Sequence, residues 1–294
     1  MQKIKIITDT GSDIDLEIAK KYNVELLPIK LVVGDKEYRE GYDFSKDEFY
    51  KILSEYDGIP THSQVIPFEW LQAIEKSVNE GYTQIILFPI NQNGSSTFKS
   101  ALDARIQYFN ENEDSEVEIY VINTLTYSGG YGYAVIKCAQ MVQENKGISE
   151  ILEFCDKWFS SYELYFVAMD LKYAKKSGRI GTAAAIAGEL LGIKPVICLT
   201  GGNSVTFSKA RSVQKAVDTI IETAKERIKD NEAVVVYYGS NKDEANSFRK
   251  SLKEQIKAEE LYDAMIGACI SSNAGPEVLG IGYMGEKRNE QIIF

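Results

Sequence analysis

Histidine is nearly absent: His62 is the single imidazole in 294 residues. Any Ser-His-Asp relay, His-rich metal site or imidazole proton shuttle would have to pass through that one position. Cysteine is sparse as well. Cys138, Cys155, Cys198 and Cys269 stand far apart with no CxxC pair, a pattern that excludes a disulfide framework and a zinc ribbon and leaves four buried cytosolic thiols. Long apolar runs are missing: no stretch approaches the ~18 residues of a membrane span, and the opening MQKIKIITDT lacks the apolar region of a signal peptide. The expectation is a cytoplasmic protein with no transmembrane segment. Positive charge is in deficit, with 33 Lys and Arg against 43 Asp and Glu and a net charge of −10. The pI near 4.9 argues against a general nucleic-acid binder, whose affinity rests on neutralising phosphates. No Walker loop and no GxGxxG follows a strand. Gly129-Gly130-Tyr131-Gly132 opens a helix, but its spacing is wrong and Tyr131 would crowd a pyrophosphate.

What is present is enough apolar residue, 44%, for a sizeable core, in a chain long enough for two domains. Strand patterns at 3–8, 24–33, 84–90 and 118–123 alternate with helix patterns at 14–22, 45–56, 67–80, 96–109, 128–144 and 149–161. Ser45 with Glu48 forms a capping box, and Pro67 suits the first position of a helix. Such alternation predicts βαβ units on a mostly parallel sheet. Beyond residue 160 the rhythm changes. Strands at 163–169, 194–199, 205–209, 233–238, 263–270 and 279–284 mix with helices at 213–228 and 243–256, and Thr200-Gly201-Gly202-Asn203-Ser204 is a hairpin signal. The fold class expected is α/β: an N-terminal domain, 1–160, with a mostly parallel sheet, and a C-terminal α+β domain, 161–294, with a mixed, partly antiparallel sheet. No Pro- or Gly-rich linker marks the boundary, and the cleft between the halves is the default ligand site.

Four polar runs are candidates for chemistry. Asn93-Gly94-Ser95-Ser96-Thr97 lies between a buried strand and a helix, so hydroxyls and free first-turn N–H groups could hold a carboxylate or phosphate, or a serine could simply cap the helix. Pro60-Thr61-His62-Ser63-Gln64 reads alone as a polar loop. Lys172 to Arg179 is basic around Gly178, either a solvated turn or an anion patch. Ser271-Ser272-Asn273-Ala274-Gly275-Pro276 reads as a strand-to-turn junction. Asp9 lacks the second carboxylate two residues on that an aspartyl nucleophile needs, Gly11 standing there. It is expected to shape the loop at the carboxyl end of the first strand.

In order and spacing these runs resemble the DegV family. Ile7 to Asp13 resembles its opening D-S-x-x-D loop, and Pro60 to Gln64 its P-x-T-S-Q segment, with Thr61 and Ser63 taken as the hydroxyl positions. Ser95 to Ala101 is similar to L-S-G-T-Y-x-S-A, Leu171 to Ile180 to L-x-Y-L-K-K-G-G-R-I, and Lys194-Pro195-Val196 to K-P-I/V. Gly275-Pro276 with Leu279-Gly280 is similar to the terminal G-P-G-x-L-G. The resemblance covers nearly the whole chain.

The resemblance implies a lipid-binding protein rather than an enzyme, with no cofactor and no metal. A long-chain fatty acid such as palmitate, stearate or oleate would lie buried, its carboxylate held by Thr61, Ser63, Ser95 and Ser96. Arg179, Asn273 and His62 would stand near the head group or at a partner surface. The family's binding subunits present the acyl carboxylate to a separate ATP-using kinase subunit. Three departures stand out: Ser96 for a glycine, Glu277 for a glycine, and Asn273 where kinase-linked members carry histidine. Asparagine can hydrogen-bond a carboxylate but cannot become cationic. Other readings are a carrier or sensor without a kinase, a sugar-phosphate enzyme using the 94–97 loop, and an interaction module built on Lys175-Lys176.

Overall fold

Ile4–Asp9 forms β1, buried along its whole length, as expected of a strand covered on both faces. The computed structural model describes residues 3–179 and 192–294. A single 3-10 turn (Thr10–Ser12) follows, then α1 (Leu16–Lys21), β2 (Val24–Leu27), β3 (Lys30–Val33), β4 (Lys36–Arg39), α2 (Lys46–Glu55), β5 (Thr61–Ser63) and α3 (Pro67–Asn79). The chain continues through β6 (Gln84–Phe88), α4 (Thr97–Glu111), β7 (Glu118–Val121), α5 (Gly129–Gln143) and α6 (Ile148–Ser161). The second half contains β8 (Tyr162–Ala168), α7 (Leu171–Ser177), β9 (Lys194–Thr200), β10 (Asn203–Ala210), α8 (Val213–Arg227) and β11 (Asp230–Tyr238). It closes with α9 (Lys242–Gln255), β12 (Glu260–Met265), α10 (Ala268–Ala274) and β13 (Val278–Met284).

The fold is α/β, as the patterning predicts. A four-stranded sheet runs β2-β1-β6-β7, all parallel, and a small antiparallel sheet runs β4-β3-β5. The six-stranded sheet runs β10-β9-β8-β13-β11-β12 and is mixed, only the β11–β12 pair being parallel. Side chains alternate across that sheet. Tyr165, Val167, Val196, Val236 and Ile281 pack under α8 and α9 with Ile220 and Leu252. Leu164, Phe166, Leu199, Val235 and Tyr237 turn the other way and join one core with Ile6, Phe88, Tyr131 and Trp158 of the first half. The last residues cross back to the first sheet, where Val121 and Phe294 exchange backbone hydrogen bonds and Phe294 packs on Phe98.

Several local expectations hold for stated reasons. Ser45 caps α2 reciprocally with Glu48, and Pro67 begins α3. The turn between β9 and β10 places Gly201 and Gly202 at φ 55° and 76°, the conformation a tight hairpin demands of both residues. All four cysteines are free and buried. Gly129 and Gly132 turn out to be packing glycines. A Cβ on Gly132 would lie 2.3 Å from the Ser12 carbonyl oxygen, and one on Gly129 2.3 Å from Ala264 Cβ, so α5 sits hard against both halves.

Other expectations need correction. The strand expected over 24–33 is two strands of different sheets, because Pro28 and Ile29 turn the chain where Ile29 N–H bonds the Thr10 hydroxyl. The loop expected at Thr61–Ser63 is β5, an edge strand paired with β3. The strand expected over 263–270 ends at Met265 and gives way to α10. Its first N–H groups are taken by distant carboxylates: Gly267 donates to Asp13 Oδ1 at 2.9 Å and Cys269 to Glu40 Oε1 at 2.8 Å. The run expected to be a strand-to-turn junction at Ser271 is therefore the last turn of a helix. Ile180, the end of one matched motif, lies outside the described residues.

Candidate functional site

The layer between the two large sheets is not filled. It holds a cavity of about 90 Å³ of water-accessible space. Its apolar wall comes from both halves: Ile29 and Ile90 on one side, Leu164, Phe166, Leu199, Tyr237 and Val278 on the sheet opposite, and Ile266 and Ile270 around the start of α10. Its polar lining is His62, Ser63, Gln64, Gly94, Ser95, Tyr127, Ser128, Arg179, Ser204 and Asn273.

Much of that polar lining is contiguous. Arg179 Nε donates to the Gly94 carbonyl at 3.0 Å, and the Ser204 hydroxyl reaches the Arg179 carbonyl at 3.4 Å. Ser177 Oγ bridges Arg179 N–H and the Asn273 carbonyl at 3.3 and 3.4 Å. Asn273 Nδ2 lies 2.8 Å from His62 Nε2 and donates to the Cys269 carbonyl at 2.7 Å. Ser95 Oγ accepts from Thr97 N–H at 3.2 Å and shares a hydrogen bond of 2.9 Å with Thr97 Oγ1. Ser95 rather than Ser96 therefore caps α4; Ser96 makes no side-chain cap bond.

Charge within the lining is spare. Arg179 carries the only fixed positive charge among the described lining residues. Burial lowers the pKa of His62, and the nearby guanidinium of Arg179 lowers it further. The imidazole is neutral near pH 7 as a result. Burial pushes the Cys269 thiol well up, with the carboxylates of Glu40, Asp9 and Asp13 adding to the effect.

Behind the cavity wall sit those three buried carboxyls. Asp9 receives Gly11 N–H, Ile90 N–H and the Tyr131 hydroxyl at 3.0, 2.8 and 2.7 Å. Asp13 receives Gly267 N–H and the Ser128 hydroxyl, and Glu40 receives Cys269 N–H and the Thr10 hydroxyl. Desolvation raises Glu40 to about 8 and Asp9 and Asp13 to about 6. Ile29, Ile90, Ser128 and Cys269 all line the cavity, so this cluster fixes wall residues from four separate segments. Asp9 shapes the loop after β1, as its position predicts.

A family model described as "Uncharacterised protein, DegV family" matches residues 3–286. The chain belongs to the DegV family. A DegV domain-containing protein of Clostridium perfringens is 31% identical, over 96% of this chain and 99% of that protein. One from Listeria innocua is 28% identical over 96% and 98%. Among solved structures, a stearic acid-binding protein from Eubacterium ventriosum superposes with a TM-score of 0.86 at 24% identity, covering 97% of this chain and 98% of that one. A DegV family protein from Thermus thermophilus, described by its fatty-acid binding, gives 0.85 at 23% identity, covering 97% and 100%. At these identities the two structures establish the fold.

Against the DegV motifs, the candidate residues divide. Ser63, Ser95, Arg179, Asn273 and His62 line this cavity. Thr61 and Ser96, both exposed, are not part of its lining; Ser63 and Arg179, which are, are exposed as well. The cavity also includes Tyr127, Ser128, Ser204 and Cys269, which sequence reasoning did not single out. Ser204 could have been suspected from its place just after the hairpin turn. The others become neighbours only through long-range folding. Among the described residues there is no cluster of acidic, thiol or imidazole groups that could hold a metal, and no helix long and apolar enough to cross a membrane.

Proposed function

We propose that this DegV chain binds a long-chain fatty acid such as palmitate, stearate or oleate, and presents its carboxylate to a separate ATP-dependent kinase subunit in the cytoplasm. The observation that carries the reading is the cavity itself: apolar walls from both halves and a connected set of hydroxyl, amide and guanidinium groups beside them. In this reading residues 1–160 and 161–294 act as two lobes that cover the tail from opposite sides. Burying a sixteen-carbon chain supplies roughly 11 kcal/mol at ~0.8 kcal/mol per CH₂, less several for association. The carboxylate then needs only to have its acceptors satisfied. Ser63 and Ser95 with Arg179 meet that need, with His62 and Asn273 beside them and Thr61 and Ser96 outside, at the surface. Relatives described as binding fatty acids support the same reading, and the chain would act as a binding protein that supplies the acyl group, not as the catalyst.

A second reading, a carrier or sensor without a kinase, is favoured by one residue. Asn273 offers a dipole where kinase-linked relatives carry an imidazole. Organic extraction of protein purified from bacteria, followed by mass spectrometry and titration of added palmitate, tests the common core of both. About one fatty acid per chain is expected. Trace lipid together with no binding of added palmitate would refute it.

A further inference from the structure

The single imidazole and Asn273 stand 211 residues apart in sequence and 2.8 Å apart in space. Asn273 lies in the last turn of α10, and its Nδ2 points to two acceptors, the Cys269 carbonyl at 2.7 Å and His62 Nε2. The carbonyl fixes which way the amide faces. Turning the amide over would set Oδ1 against the Cys269 carbonyl oxygen, two acceptors in contact, which is unfavourable for buried groups. The amide nitrogen is donor-only. His62 Nε2 must then be the acceptor, and a neutral ring carries its proton on the other nitrogen. Among the described residues, that nitrogen, Nδ1, has only the Cys269 sulfur as a hydrogen-bond partner, at 4.0 Å, a weak and distant acceptor. A donor without a good partner is left at the wall of the cavity, beside the groups in which a carboxylate would rest.

We propose that Asn273 is a positioning residue that locks His62 as a neutral imidazole protonated on Nδ1, and that this N–H is a head-group donor for a bound carboxylate. The inference rests on the fatty-acid reading for its second half only. It also gives Asn273 a role of its own: the imidazole in this site is supplied by β5, and α10 supplies the group that orients it. Burial and Arg179 act in the same direction by keeping the ring uncharged, so the donor is a dipole and the site's fixed positive charge remains on Arg179.

Because the chain has one histidine, two-bond nitrogen–proton correlation spectra of the ¹⁵N-labelled full chain report this ring alone. At pH 7 without ligand, the wild type should show the proton on Nδ1 and a bare Nε2. Asn273→Asp, which can only accept from the ring, should move the proton to Nε2 or give the doubly protonated form. On adding palmitate the wild-type Nδ1–H resonance should shift, as for a proton entering a stronger hydrogen bond. His62→Asn, whose amide can reach the place of Nδ1–H, should hold palmitate affinity within about threefold, and His62→Leu should weaken it about tenfold or more. A wild-type ring protonated on Nε2 would overturn the positioning role. An Nδ1 resonance unmoved by bound palmitate, or equal affinity in His62→Leu, would overturn the donor role. A wild type that binds no palmitate at all would remove the fatty-acid reading and the donor role with it, while the ligand-free spectrum still decides what Asn273 does.

Discussion

Replacing Glu40 with glutamine tests how the cavity wall is held. Glu40 is buried, and desolvation, with Asp13 adding repulsion, raises its pKa to about 8 from an ordinary 4.5. The unfolded chain therefore releases this proton at far lower pH than the folded one. Between pH 4.5 and about 8 the folded state holds the extra proton, so stability falls as pH rises, by up to ~1.4 kcal/mol per pH unit. From pH 6 to 8 the loss attributable to Glu40 is about 2 kcal/mol, tapering as the folded group itself begins to ionise. Asp9 and Asp13, raised to about 6, have spent most of their effect by pH 6 and add well under ~1 kcal/mol each over that window. His62, lowered by burial, works in the opposite sense and is common to both proteins. Glutamine keeps an acceptor for Cys269 N–H but has no proton to lose. The assay is urea unfolding of wild type and Glu40→Gln at pH 6 and pH 8, followed by tryptophan fluorescence. Wild type should lose about 2 kcal/mol more stability across the interval than the variant. Equal losses in the two proteins would show that Glu40 ionises normally.

Ser95→Ala should weaken palmitate binding about tenfold or more, since it removes a donor from a desolvated carboxylate, while the exposed Ser96→Ala should change it little; isothermal titration of both distinguishes them. Gly132→Ala places a Cβ 2.3 Å from the Ser12 carbonyl oxygen and should cost about 1–3 kcal/mol by overpacking, read as a lowered urea midpoint. Asn273→His should raise acyl-phosphate formation with a cognate kinase subunit, ATP and palmitate, because an imidazole can take up a proton as negative charge develops and an amide cannot. Equal turnover by the wild type would show that asparagine serves kinase partnership as well.

Local rules made part of this fold readable. The Ser45–Glu48 box, Pro67 and the Gly201-Gly202 turn each rest on contacts within a few residues, and each is found where the sequence places it. The helix α10 was not readable, because its first N–H groups are satisfied by Asp13 and Glu40, which lie 254 and 229 residues away in sequence. The same distance hid the pairing of His62 with Asn273. The register of the hydroxyl motif was open to a closer reading. With Pro60 as the proline of P-x-T-S-Q, the third position falls on residue 62 and the serine on residue 63. The cavity lining follows that alignment, taking His62 and Ser63 and leaving Thr61 at the surface. Alternation along β5 says only that Thr61 and Ser63 share a face, not which face meets a ligand.

One edge strand of the six-stranded sheet, β10, bears on how the protein behaves when concentrated. An exposed strand border offers unpaired amides to any neighbouring chain and is a common starting point for aggregation. Here pairing with β9 shifts register between Thr206 and Ser208, a bulge that bends the border away from a flat template. Lys209 follows, and Phe207, though 46% exposed, leans its ring edge against Tyr165 at 5.1 Å instead of standing free. A variant lacking one residue of the bulge would have a straighter, stickier rim, and its loss of solubility would appear in light scattering well before any loss of secondary structure.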